Sequence, residues 1–449
     1  MALHAHWCKE RPNPFTRFEV RVAIELRRFR GALVEEISRC LDETVVYGNV
    51  LVSTWSMRGL RTVQALPKSG PVADALYGWV GDRPLLTFVS NEVARNFVPG
   101  EFDGGKEAPL SSFSGYEDLK KVAGDLVDSM GSLPWQYSLT MRLPSSLIDS
   151  FPKEVGCIQI TDRQRVVTGQ WLKEQGFPSE DRPRGLLALM GGVHSLGSRY
   201  WPPDRLYLQV LVEGYLGDST TESYQSALET MQTILGLAFS FGIFSEFAEN
   251  YGDKRDFNDW VRVVHLLQEG AWVEVGEHAI GENHKRKLSE IVADGMDSSG
   301  PTSLGARLES IGEILGSPHG TKIARASRWL FESRCHEDPL HQFIHAAVAM
   351  EILLGDEKPP EGVGVTQLLA NRCAYLISKT PDDRERTLKV FKKIYDLRSS
   401  IVHTGKGRLN RAESMLLVHL RMLCDRVIFA EHALIQTDLQ RAKTKREIQ

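Results

Sequence analysis

Beyond residue 305 the hydrophobic positions recur every three to four residues, and each such run stops near a glycine or a proline. Leu340, Ile344, Ala347, Val348 and Leu354 fall on one face and predict a helix over 340–354, closed by Gly355. Leu368, Leu369, Tyr375 and Leu376 predict a second over 365–379, ended before Pro381. Phe391, Ile394, Tyr395, Ile401 and Val402 predict a third over 383–403, with Gly405 and Gly407 past its end. A fourth opens at Asn410, an N-cap with Glu413 in the capping-box position, and carries Leu416, Leu417, Leu420, Leu423, Val427 and Ile428 on its stripe. Two shorter helices are expected over 305–315 and 324–333, and residues 441–449 read as a short, frayed basic tail.

Before residue 295 the period changes repeatedly. The alternation in Val20–Leu26 predicts a half-exposed strand, and Val45–Trp55 is β-branched and aromatic with Gly48-Asn49 as its turn. Further strands are expected over 83–90, 137–143, 157–160, 185–190 and 206–213. Residues 99–114, rich in Gly, Pro and Ser, predict a surface loop. Helical spacing appears over 116–130 and over 223–241, the latter apolar enough to be buried. Residues 260–267 and 272–275 fit either period. The stretch 294–305 (D-G-M-D-S-S-G-P-T-S-L-G) is the best linker candidate. The expected fold class is therefore α+β. A mixed α/β region fills 1–295, divisible near 150, and an all-α bundle fills 305–449.

Composition narrows the function classes. A chain of 449 residues with 42% hydrophobic and 25% charged residues can bury a large core. A net charge of −4 excludes a uniformly basic nucleic-acid coat, so any nucleic-acid site must be a local patch. The six cysteines are scattered with no CxxC pair, which argues for a reducing compartment and against a zinc ribbon. The charge-free stretch Met231–Ser245 is too short to span a bilayer, and the N-terminus has no signal-type apolar core. A cytoplasmic protein is expected.

Candidate chemistry lies where the helical stripes break their own rule. Arg398 falls among Ile394, Tyr395, Ile401 and Val402, Glu351 sits on the 340–354 stripe, and Arg372 on the 365–379 stripe. A guanidinium on an apolar face keeps its charge and needs a carboxylate, a phosphate or a partner subunit. Packed together, the three faces would enclose a Glu–Arg–Arg cluster with His403 at its edge. The segment R-S-S-I-V-H from Arg398 to His403 is an R-x4-H motif preceded by Y-D-L, with A-M-E-I-L-L and N-R-C-A-Y-L-I upstream in order. Over residues 320–436 the chain resembles the Apea-like branch of the HEPN ribonuclease superfamily.

That resemblance implies a HEPN helical bundle and a metal-independent endoribonuclease with no cofactor, acting as a homodimer through the bundle. His403 would be base or acid, Arg398 the transition-state clamp, and Glu351 and Arg372 their support. It further implies a bacterial antiviral role, by abortive infection or as a toxin, with a viral or protein trigger read by the N-terminal region. The chemistry is consistent: His titrates near neutrality and can take a 2′-OH proton, while a fixed guanidinium can balance the phosphorane charge. Positions five apart on a regular helix point about 140° apart. Either the helix unwinds toward Gly405 or two copies complete one cleft, as the resemblance implies.

Other features carry less. Lys389, Lys392 and Lys393 are candidates for an RNA-backbone track or for a solvated helix face. Asp396 is placed to orient His403. His341 and His345 have ligand spacing near His336 and Cys335, yet no H-E-x-x-H pattern accompanies them, so no metal is expected. Gly191-Gly192 through Gly197-Ser198 lacks a P-loop ending and reads as a turn. The competing function is a non-catalytic HEPN scaffold that dimerises or holds RNA within a larger defence complex.

Overall fold

The structure, a computed structural model, describes residues 26–62, 66–178, 201–218, 220–245, 260–293, 303–355 and 364–448. The expected strands at Val20–Leu26 and 185–190, the Gly191–Ser198 turn and most of the 294–305 linker lie outside the described residues, Leu26 and 303–305 excepted. The fold is α+β, with a mixed α/β N-terminal region followed by helices.

The first unit packs α1 (Arg30–Asp42), α2 (Pro71–Val80), α3 (Pro84–Asn96) and α4 (Leu119–Gly131) around a small antiparallel sheet of β1 (Val45–Tyr47), β2 (Leu51–Val52) and β3 (Glu107–Pro109), in the order β2-β1-β3. Leu33, Ile37, Val46, Met57, Leu76, Phe88 and Met130 make its core. Gly48 and Asn49 both take positive φ, 54° and 63°, which lets a tight turn pair Tyr47 with Leu51. Residues 83–90, expected as a strand, open α3 instead. Pro84 occupies the first helical turn, where its missing N–H costs nothing, and Leu85, Phe88, Val89 and Val93 bury one helical face.

A six-stranded antiparallel sheet follows, in the order β10-β9-β4-β7-β6-β5. Its strands are β4 (Trp135–Arg142), β5 (Cys157–Gln159), β6 (Gln164–Thr168), β7 (Leu206–Gly214), β9 (Val261–Gln268) and β10 (Ala271–Ala279). The two ambiguous segments are thus the β9–β10 hairpin. A short helix, α5 (Gly169–Glu174), follows β6, and α6 (Glu222–Ser240) follows β7. Tyr137, Leu139, Met141, Leu208 and Val210 face the core beneath α6. The opposite face buries a polar row: Gln209 donates to Thr140 Oγ1 at 3.2 Å, Ser138 and Thr140 hydroxyls share a 3.2 Å bond, and Arg165 donates to Gln209.

Beyond the two-stranded pair of β8 (Phe244–Ser245) with β11 (Val292–Ala293), and α7 (Glu282–Glu290) between them in the chain, only helices remain. They are α8 (Leu304–Gly316), α9 (Thr321–Cys335), α10 (Pro339–Leu354), α11 (Val365–Ile377), α12 (Pro381–Thr404) and α13 (Arg411–Ile448). The core beneath the sheet continues without a break into them, from Tyr137 and Leu208 through Leu330 and Phe343 to Phe391 and Ile428. At the junction α6 and α9 meet backbone to backbone: a Cβ on Gly236 would lie 2.0 Å from the Ser327 carbonyl oxygen.

Helix α13 ties the layers together. Asp425 accepts from Ser240 of α6 at 2.7 Å and pairs with Arg334 of α9 at 3.0 Å, and His432 meets Glu313 of α8 at 2.7 Å. It runs on to Ile448, past the expected frayed tail, because Lys, Arg and Glu are themselves good helix formers. Among the described residues no helix is long and apolar enough to cross a membrane.

Candidate functional site

Helix α12 carries the R-x4-H motif and is helical from end to end. Thr380 caps it by accepting from the Asp383 N–H at 3.2 Å, Pro381 starts it, and Gly405 ends it in the left-handed region at φ 65°, ψ 35°. Of the two ways to reconcile Arg398 with His403, local unwinding is therefore not used within this chain. On an unbroken helix the two side chains are separated by about 7.5 Å of rise and about 140° of rotation.

Arg398 turns inward. Its Nε lies 3.3 Å from Oε1 of Glu351 on α10, with side chains 32% and 33% exposed. The pair is half-buried rather than sealed in the core. Arg372 donates from Nη1 to the Leu354 carbonyl at 2.7 Å, one turn from Glu351, and so caps the carbonyl end of α10. Glu351 and Arg398 thus come together as the stripes suggest, and Arg372 anchors the same end of α10.

Tyr395, expected on the buried stripe, is buried beside this pair. Its ring stacks on Phe391 at 4.7 Å. Burial, and then the negative charge of Glu351, hold its phenol well above the ordinary range, so it stays neutral. Cys373, on the buried face of α11, is pushed up to about 12 by burial and so stays a thiol at neutral pH.

His403 turns outward. It is exposed in the last turn of α12 and makes no hydrogen bond or ion pair among the described residues. By helical rotation Lys392 and Asp396 fall within about 20° of it, and all three are exposed. Lys389 is held by Glu385 at 2.6 Å, whereas Lys392 and Lys393 extend into solvent. The solvent stripe near His403 therefore carries both signs, Lys392 and Asp396 flanking the ring.

Two positions assigned to buried stripes are on the surface. Tyr375 is 80% exposed, because α11 buries Leu369, Ala370, Cys373, Ala374 and Ile377 instead. Val402, one turn beyond Arg398, is 49% exposed. The 369-373-377 spacing carries the correct face, hidden by the small side chains at 370, 373 and 374. Met415 and Met422 of α13 are also exposed.

The histidines near residue 340 form a separate group. The rings of His336 and His341 are 4.5 Å apart and those of His336 and His345 5.8 Å, while Glu332 accepts from or pairs with His284 at 3.0 Å. Burial keeps His345 below its usual range. Cys335 lies in the core, and among the described residues no group of three or more His, Cys, Asp or Glu is disposed to hold a metal ion.

No family model, no curated protein and no solved structure matches the chain.

Proposed function

We propose that this chain is a cytoplasmic, metal-independent endoribonuclease that acts as a homodimer, with His403 and Arg398 as its catalytic pair. The observation that supports it most is the division of labour on α12: a half-exposed guanidinium fixed by Glu351, and a free, exposed imidazole on the solvent face of the same helix. His403 would take the 2′-OH proton as the 2′-oxygen bonds to phosphorus and the 5′-oxygen leaves. Water would return a proton to that leaving oxygen. Arg398 would balance the charge on the non-bridging oxygens, worth about 10²–10³ in rate for one such group. Because one copy points these groups apart, two copies must share a cleft, and the exposed Val402, Met415 and Met422 offer apolar surface for that pairing. An antiviral role, with the N-terminal region reading a viral or protein trigger, follows from the resemblance.

The test is RNA cleavage in EDTA by the full chain and by Arg398→Ala and His403→Ala. Each variant should lose activity by about 10² or more. Mixing the two should restore about a quarter of wild-type activity if each site takes its Arg from one copy and its His from the other. Full activity in both variants refutes the proposal.

One observation favours a scaffold instead: the Arg398 charge is already answered by Glu351 within the chain. A scaffold predicts that all three proteins dimerise equally, bind RNA equally and leave it intact.

A further inference from the structure

A cleft of about 310 Å³ opens between α2, the start of α6 and the corner where β6 meets β7, far along the chain from the R-x4-H helix. It is built rather than accidental. Ser223 of α6 donates to the Trp79 carbonyl of α2 at 2.9 Å, which joins two of its walls. Gly214, at φ 137°, ends β7 where a Cβ would lie 2.0 Å from Ser223 Oγ, so the third wall is drawn in against the other two. The cleft therefore sits where the N-terminal unit meets the sheet layer.

Its chemistry is lopsided. Trp79 and the Val210–Val212 stretch line it together with Ser226 and Thr230 of α6, the Thr230 hydroxyl donating to the Ser226 carbonyl at 2.9 Å. Arg163 is the only cation lining it among the described residues, and Glu213 answers that charge at 3.3 Å. Glu222 remains, exposed in the first turn of α6 and without an ion pair among the described residues. It also meets the positive end of the α6 dipole, so that end is not open to an anion. A phosphate placed here would face two carboxylates and one guanidinium already in use. A flat ring against Trp79, with an amino group toward Glu222, suits every wall.

We propose that this cleft binds a small, uncharged heterocycle bearing an amino group, of the size of an aminopurine nucleoside. The volume falls at the lower end of the range for small-ligand sites, about 300–1,000 Å³. The site is independent of the nuclease proposal and is tested by binding alone.

Titration calorimetry of the full chain with adenosine should give saturable binding, retained in Arg398→Ala. Inosine, which lacks the amino group, and AMP, which adds charge, should each bind at least about tenfold more weakly, as should adenosine to Glu222→Gln. A Cβ on Gly78, which lines the cleft, meets nothing within 4 Å, so a larger side chain can start there, and Gly78→Leu should weaken binding while the unliganded melting temperature holds. Should Gly78→Leu melt early, Glu222→Gln carries the comparison. No saturable adenosine binding, AMP binding more tightly than adenosine, or undiminished binding to both variants overturns the proposal.

Discussion

Replacing Gly236 by Ala tests whether the sheet layer and the C-terminal helices are one cooperative body. In an ordinary helix interior that substitution stabilises by about 1 kcal/mol, since glycine loses the most backbone freedom on folding. Here the new methyl would lie 2.0 Å from the Ser327 carbonyl oxygen, against an ordinary contact of 3.4 Å or more. Helices α6 and α9 would have to part by roughly 1.4 Å, the difference between those distances. Neither partner can swing aside, because the obstacle is backbone and Ser327 is fully buried. Overpacking of this kind costs about 1–3 kcal/mol and more when the backbone must move. Set against the propensity gain, the net loss should be about 2 kcal/mol or more. Gly78, in α2 with open space at its Cβ, is the control: Gly78→Ala should hold or gain up to about 1 kcal/mol. Equilibrium urea denaturation followed by circular dichroism measures both. A Gly236→Ala protein as stable as the parent would refute the close backbone crossing, and with it the continuity of the core.

Three further outcomes follow from particular residues. Burial, then the charge of Arg262, pushes the His278 imidazole down to about 4, with Arg95 adding to the depression and Asp218 opposing it. The folded ring stays neutral while the unfolded one takes its proton near 6.5, so this stability is present above pH 6.5 and drains as pH falls toward 4, by up to about 3 kcal/mol. His278→Gln should flatten the fall in melting temperature between about pH 7.5 and about pH 5, and an unchanged slope would contradict the assignment. Asn410 and Glu413 form a reciprocal cap, the Glu413 N–H donating to Asn410 Oδ1 at 3.0 Å and the Asn410 N–H to Glu413 Oε2 at 2.8 Å. Asn410→Ala should therefore cost about 1 kcal/mol in a urea melt. Glu351→Ala leaves the Arg398 guanidinium half-buried without its carboxylate and should cost about 1 kcal/mol, whereas the double variant Glu351→Ala/Arg398→Ala should recover part of that loss.

Much of the C-terminal half was legible because helix periods and their stops are local. The capping box at Asn410 and the stop at Gly405 follow from spacing alone, whereas α10 buries Phe343, Ala346, Ala349, Met350 and Leu353 beside the expected Ala347 and Leu354, leaving Leu340, Ile344 and Val348 half-buried. The errors have local causes too. Residues 83–90 look like a strand if their apolar residues are counted, and like a helix once Pro84 is taken as a first-turn residue. In α11 the buried face is made of Ala and Cys, so larger residues at 375 and 376 drew attention to the wrong side. The Glu351–Arg398 pairing was foreseeable, since buried charge demands its opposite. The depth of the pair and the anchoring of Arg372 on Leu354 depend on which helices cross, which no single stripe encodes. Gly236 is the clearest such case, because it reads as a flaw in a helix until its neighbour is in place.

The unbroken run of α12 to Thr404 has a consequence for control. If catalysis needs an arginine and a histidine that one helix aims in different directions, a lone copy is chemically idle however well it is folded. Specific activity would then climb with protein concentration and vanish on dilution. A cell holding such a chain would need no inhibitor of the reaction itself, only a means of deciding when two molecules meet.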